Sequence, residues 1–492
     1  FLTANDGFYT RNLSGKLSKR KSFLDIDKNL TIFNSLQLND FSIALGTIGK
    51  GVIFLDSNLN FLAKYDKSNG LNNNTILSLH QDQESNIWLG LDNGISVINI
   101  NSPFSIFYDE NGNLGTVYAS ILHNGILYIG TNQGLFYKKY NSNSEFALIE
   151  NTSGQVWSLE KINGTLFCGH DQGTFVVNNS TAKKINYTLG SWTFRKKSSD
   201  SKDIVQGSYD GLYILTQNNG EWVLKNKLSG FDISSRFFEI SNNGKIIVSH
   251  GYKGVYKLSV NSDFNEVIDY ELDSIAIKGG NTSLAKFDNN IYYNFSGGVM
   301  KYNSITNGFS TDTLLTNLSS KELLYGIIRN DNDGKLWLFS ENNIHYVYKD
   351  LVTGNKKVNS LIFSNELRRT VFENISKIDK SNYIIGTNNG FINLNLDDYS
   401  LIPPTVKINK IEAFKLNEEY SLVSPSELIQ LDYDSNNLNF HVSVSNYQKF
   451  QPITFEYQLN GYINEWTEIS ETPIITFNNL KPGSYQFKVR AK

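Results

Sequence analysis

Apolar residues in this chain come in short runs, and within each run they alternate with polar ones. Ile76-Leu77-Ser78-Leu79 is one run, Asn86 to Leu91 the next, and Ile95-Ser96-Val97-Ile98 a third. A period of two is that of a half-buried β-strand, whereas a helix repeats its apolar positions at i, i+3 and i+4. Asn-Gly and Asp-Gly pairs stand between many of the runs and accept positive φ in tight hairpins. The pattern predicts strand, hairpin, strand, many times over, and it argues against helical repeats of similar length.

One phrase recurs with this pattern: an apolar pair, Gly, a polar turn, a second Gly and another apolar residue. It reads Trp88-Leu89-Gly90-Leu91-Asp92-Asn93-Gly94-Ile95, then Tyr128-Ile129-Gly130-Thr131-Asn132-Gln133-Gly134-Leu135, then Phe167-Cys168-Gly169-His170-Asp171-Gln172-Gly173-Thr174. Further copies surround Gly211, Gly254 and Gly390, and weaker ones surround Gly7, Gly51, Gly298 and Asn343, where Asn replaces the expected Gly. The second anchors fall at 7, 51, 94, 134, 173, 211, 254, 298, 343 and 390, so neighbours are 38 to 47 residues apart. A four-stranded propeller blade has that length, about 40–50 residues. A lone blade cannot bury both faces, and radial stacking does so.

Ten anchors exceed the roughly 4–8 blades of one ring. The last seven, 134 to 390, make a complete seven-bladed ring, and the first three end an earlier, truncated one. One continuous open array is the alternative. Pro103 is the only proline before Pro403, and it lies where the two rings would meet. Six of the seven prolines stand at 403 or later, beyond the last Gly anchor. Pro403-Pro404 reads as a stiff connector, and strands such as Leu438 to Val444 and Phe455 to Leu459 follow it. The predicted fold class is all-β: tandem β-propellers followed by an immunoglobulin/fibronectin-like β-sandwich. The expected domains are 1–102 (end of the first propeller), 103–402 (seven-bladed propeller) and 403–492 (sandwich, cut short at its C-terminal end).

Composition narrows the function classes. The formal net charge is −3, so no basic excess exists to hold a phosphate backbone, and no nucleic-acid partner is expected. Cys168 is the single cysteine, which excludes an intramolecular disulfide and a Cys/His zinc framework. No apolar run approaches the roughly 18 residues of a membrane span. The chain opens on Phe1-Leu2-Thr3 and stops at Val489-Arg490-Ala491-Lys492, inside an expected strand, so it reads as a piece of a longer protein.

Two stretches carry a family resemblance. Asn69-Gly70-Leu71-Asn72-Asn73-Asn74-Thr75-Ile76 with Asp82-Gln83-Glu84-Ser85-Asn86-Ile87-Trp88-Leu89-Gly90 resembles the two-component-regulator propeller repeat, and Asp331 to Trp337 is a second, partial copy. Phe455-Glu456-Tyr457-Gln458-Leu459-Asn460-Gly461, Glu465-Trp466 and Asn479 to Ala491 resemble the triple-tyrosine domain. Most blades depart from the full Asp-x-x-Gly-Asn-x-Trp run. The resemblance implies the extracytoplasmic, periplasmic sensor region of a bacterial one-chain hybrid two-component or helix-turn-helix regulator. It implies a homodimer, a membrane anchor beyond Lys492, and a cytoplasmic histidine kinase or DNA-binding output.

The residues themselves suggest no catalytic machinery. The six histidines, His80, His123, His170, His250, His345 and His441, stand in different repeats without metal-ligand spacing. No nucleophile elbow, Walker loop or dinucleotide fingerprint stands in a strand–helix setting. Asp331-Asn332-Asp333-Gly334 lacks the spaced Glu of a calcium loop and reads as a hairpin turn before Trp337. Asp397-Asp398 and Glu418-Glu419 read as solvated loop carboxylates. No metal, cofactor or catalytic residue is expected.

A ligand site is expected where innermost strands converge on the propeller axis. Sixteen residues before anchors 134, 173 and 211 stand Tyr118, Trp157 and Arg195. Trp192, Arg236, Phe237, Tyr325, Arg368 and Arg369 lie near the same register. Aromatic faces beside Arg suit an oligosaccharide or similar small ligand, with C–H faces on the rings and polar groups on the guanidinium. Aromatics at strand starts also pack blade against blade, and that alternative stays open at each position. The expected function is a sensor of a carbohydrate-like ligand; the alternatives are a protein-interaction scaffold and a propeller hydrolase or lyase.

Overall fold

The computed structural model describes every residue except 23–28, 110–111, 143, 277, 280, 320–323, 325, 332, 364–367, 400–404, 416–418, 425–427, 446, 448–452, 470–472 and 492. The chain divides into two compact units, 1–399 and 400–492.

In the first unit the alternating runs form antiparallel sheets that follow the repeat. Six sheets between residues 117 and 362 have four strands each, in chain order. We number these blades one to six, beginning with Val117–His123, Val156–Ile162, Thr193–Lys196, Phe237–Ile240, Ser283–Phe287 and Arg329–Asn330. Blade seven is composite. Ile375–Asp379, Asn382–Gly386 and Phe391–Asn395 give its first three strands, and Phe104–Phe107 from the other end of the ring gives the fourth. That strand pairs Phe104 with Leu394 and Phe107 with Phe391, and the rings of Phe107 and Phe391 stack at 4.8 Å. Asn374 Nδ2 donates to the Val117 carbonyl of blade one at 2.9 Å. The ring is closed and seven-bladed. Before it, sheets of three, four and three strands span residues 2–99 and form the partial ring.

The two anchor positions have different causes. A Cβ on Gly386 would lie 2.6 Å from the Val117 carbonyl of the neighbouring blade; this glycine lets blades approach. Gly134 has φ 155°, outside the range of L side chains, and a Cβ there would lie 2.8 Å from the Thr152 carbonyl. Asn343, the exception, opens the strand Asn343–Lys349 without positive φ.

The Asp-to-Trp run also has a physical basis. Asp82 Oδ1 accepts from the backbone N–H groups of Glu84 and Asn86 at 2.9 and 2.8 Å, and Oδ2 from Asn86 Nδ2 and Trp88 Nε1, both at 2.9 Å. Asp331 repeats the device, accepting from Asp333 N, Lys335 N and Trp337 Nε1 at 2.9, 3.0 and 3.1 Å. The segment is the hairpin turn that its sequence suggests.

Core residues pack between blades. Tyr128 and Leu135 of blade one meet Val156, Cys168 and Phe175 of blade two in one buried cluster. Burying each such side chain stabilises by about 1.5–3 kcal/mol, so a blade draws much of its stability from its neighbour.

The second unit is a sandwich of a four-stranded sheet (Ser421–Val423, Val406–Phe414, Asn437–Val444, Ile474–Phe477) and a three-stranded one (Ile463–Ile469, Phe455–Asn460, Gln486–Ala491). Phe440 of the first sheet stacks on Phe487 of the second at 3.9 Å.

Candidate functional site

The first strands of the seven blades are innermost, and they line a central channel of about 850 Å³. Blades one and two begin with a β-bulge, between Val117 and Ala119 and between Val156 and Ser158. The extra residues are Tyr118 and Trp157, and a bulge re-aims the side chain it carries. The partial ring bulges at Phe33 and Leu77, which are exposed.

An aromatic wall results. Trp157 lies 5.2 Å from Tyr118, 4.5 Å from Trp192 and 5.6 Å from Phe372, between ring centroids. Its indole N–H donates to the Tyr209 hydroxyl at 3.2 Å. The indole N–H of Trp192 is buried with no hydrogen-bond partner. Arg236 completes the wall, its guanidinium 4.2 Å from Phe372, 4.7 Å from Phe237 and 4.9 Å from Trp192. It donates to the Val371 carbonyl at 2.6 Å. Val371 itself sits at φ 70°, a conformation that costs a β-branched residue about 1–3 kcal/mol.

Charge lies along the inner strands. Arg195 of blade three meets Glu160 of blade two at 3.0 Å and Glu239 of blade four at 2.8 Å. Burial works against its charge, but the two carboxylates outweigh burial and hold its pKa above the usual range. Burial raises the pKa of Glu160 in spite of Arg195. Arg329 of blade six lines the same channel; its Nε is buried without a partner, and burial lowers its pKa. Among the described residues the lining holds seven Lys or Arg against four Asp or Glu, in a chain of net charge −3.

The structure brings Tyr118, Trp157, Trp192, Arg195, Arg236 and Phe237 into the lining. Arg195, expected to face a ligand, is held as a strut between three blades. Arg369 is exposed and outside the lining, though its charge acts on the Tyr118 hydroxyl. Arg368 needs correction: it is buried outside the channel lining, because its guanidinium donates to the carbonyls of Ser340 and Glu341 in blade six. Tyr325 lies outside the described residues. Sequence reasoning missed Phe372, Glu160, Glu239 and Arg329. The last three carry a legible signal, a charge inside the first strand of a blade. Elsewhere His170 Nε2 lies 3.1 Å from the Thr152 carbonyl, and His345 lies between Ser340 and Ser360. No group of metal-ligating residues occurs among the described residues, nor any helix long and apolar enough to cross a membrane.

Residues 70–93 match the Two component regulator propeller family, and residues 446–492 match the Y_Y_Y domain. No curated protein matches the chain. The extracellular domain of the putative hybrid two component system BT3049 from B. thetaiotaomicron aligns with a TM-score of 0.73 at 20% identity, covering 99% of this chain and 68% of that one. The extracellular domain of the putative one component system BT4673 from B. thetaiotaomicron aligns at 0.44 and 18% identity, covering 98% and 69%. The chain thus carries a Two component regulator propeller repeat and a Y_Y_Y domain, and it shares the fold of an extracellular domain.

Proposed function

We propose that this chain is the periplasmic ligand-sensing region of a transmembrane regulator, and that it binds a carbohydrate-like molecule in the channel of the seven-bladed ring. The observation that carries this reading is the wall of Tyr118, Trp157, Trp192 and Phe372, contiguous at 4.5–5.6 Å and open to the channel. Sugar C–H faces stack on such rings, and polar groups beside them fix orientation. Binding would bias the packing of the blades, or the geometry of a dimer, and pass to a kinase or DNA-binding output beyond a membrane anchor. Only a difference in affinity between two states can drive that change.

A glycan array followed by calorimetry on the 492-residue chain tests the reading. Trp157→Ala is expected to weaken binding of the captured glycan at least about tenfold, the loss of one stacking contact of about 1.4 kcal/mol. Capture that survives both Trp157→Ala and Trp192→Ala unchanged would overturn it. Release of cleaved products from a polysaccharide would favour an enzyme instead.

A further inference from the structure

We propose that Arg236 and Arg329 form an anion subsite within the channel, beside the aromatic wall, and that the ligand bears a carboxylate or sulfate on a sugar ring. The inference rests on the channel being the ligand site and deepens that reading.

Three guanidinium groups line the channel, and their surroundings differ. Arg195 is neutralised by two carboxylates at 3.0 and 2.8 Å. Arg236 and Arg329 form no ion pair among the described residues. Arg236 makes one hydrogen bond, to a carbonyl; the Nε of Arg329 has none. A guanidinium has five N–H donors in a planar fork, so most of this capacity is unused.

The acidic residues of the lining are engaged elsewhere. Glu160 and Glu239 hold Arg195. Asp331 accepts from Trp337 and two backbone N–H groups, and Asp288 pairs with Lys349 at 3.5 Å. Glu373 takes the Ile327 N–H at 3.3 Å. Glu373 is close enough to favour the charge of both arginines, and Glu160 that of Arg329, yet no described carboxylate forms an ion pair with either, and burial outweighs these carboxylates at both. Burial and the charge of Arg329 push the pKa of Arg236 down, and burial pushes down that of Arg329. A guanidinium nevertheless stays protonated in proteins, so an incoming oxyanion would relieve both the desolvation and the repulsion. The fork geometry matches carboxylate and sulfate oxygens in pairs. The adjacent indoles offer a face for the ring that carries the anion, which a free inorganic ion would not use.

The test is calorimetry on the 492-residue chain with three probes: a uronate oligosaccharide, a sulfated oligosaccharide and a neutral oligosaccharide of similar length. One acidic probe is expected to bind at least about a hundredfold more tightly than the neutral one, and more weakly at high salt. Which acidic probe binds distinguishes carboxylate from sulfate. Arg236→Gln and Arg329→Gln are each expected to weaken the acidic probe at least about tenfold more than they weaken the neutral one. Arg236→Lys, which keeps the charge and loses the fork, is expected to fall between. Melting curves confirm that each variant folds, and Arg329→Gln carries the test should Arg236→Gln fail to fold.

Equal affinity for acidic and neutral probes, or acidic binding indifferent to both Gln variants, overturns the subsite. Neutral binding that depends on Trp157 but not on the arginines would leave the channel reading standing without the subsite. Acidic binding that depends on the arginines but not on Trp157 would leave the subsite and remove the sugar platform. No binding of any probe overturns both.

Discussion

Arg195 and Arg236 stand in one channel and do opposite things, which makes their stability effects separable. Arg195→Ala would strand Glu160 and Glu239, whose side chains are only 21% and 4% exposed. Removing one partner of such a cluster costs about 3 kcal/mol, the low end for buried pairs because Arg195 itself keeps contact with solvent. Arg236→Gln removes a desolvated charge that pairs with no carboxylate among the described residues, and it is expected to leave stability unchanged or to raise it. Chemical denaturation of the two variants checks the contrast; a loss of similar size in both would contradict the assigned roles. The sequence shows both arginines near the axial register but hides their partners. Glu160 and Glu239 lie 35 and 44 residues from Arg195, and only closure of the ring sets them beside it. Phe372 and Val371 are illegible for a different reason: they precede the strand Ile375–Asp379, where no alternation marks a direction.

Strands and hairpins were the legible elements, because alternation and Gly anchors are local. The helix Thr313–Ser319 was not anticipated, since seven residues give too few turns for a helical period to stand out. Gly386 shows what an anchor does for its element. Gly386→Ala would set a methyl 2.6 Å from the Val117 carbonyl, and pushing two blades apart costs about 1–3 kcal/mol. Gly164 lies in a hairpin with nothing near it but has φ 82°, so Gly164→Ala should cost only about 1 kcal/mol, from backbone strain alone. Denaturation midpoints order the two variants, and a reversed order would remove the close-approach explanation.

The sandwich strands offer a test by pH. Lys410, His441 and Asn439 surround the carboxylate of Glu412 at 2.5, 2.9 and 3.2 Å and hold its pKa down to about 2, from the usual 4.5. A depressed pKa gives stability that is complete above the unfolded value and is lost as pH falls through the folded one. The wild-type sandwich should therefore lose stability between pH 4.5 and about 2, and Glu412→Gln should lose less over that window. Calorimetric scans at several pH values measure the difference, and parallel curves would show that Glu412 contributes nothing.

For the whole molecule, counting anchors made seven blades legible, but not which segment completes the last one. Phe104-Ser105-Ile106-Phe107 carries no Gly anchor, and its partner strand lies at the opposite end of the ring. The seam lies inside blade seven, where Phe104–Phe107 from the start of the ring pairs with Phe391–Asn395 from its end. The aromatic wall joins the same two ends of the ring: Phe372, leading into blade seven, lies 5.3 Å from Tyr118 of blade one. Arg236 and Arg329 bring blades four and six to the same channel. A ligand held by these groups would touch both sides of the seam at once. Because it binds the closed ring better than an open one, it must stabilise closure by an amount set by its concentration and affinity. Hydrogen exchange at Phe104–Phe107 and Phe391–Asn395 should then slow on binding by a larger factor than exchange in the outer strand of blade four, Val267–Leu272. With ligand at about a hundredfold its dissociation constant, openings of the seam should become about a hundred times rarer. Equal protection of the seam and of that outer strand would mean that the ligand stabilises the molecule globally, and the seam could not then be the joint through which binding is converted into a change of shape.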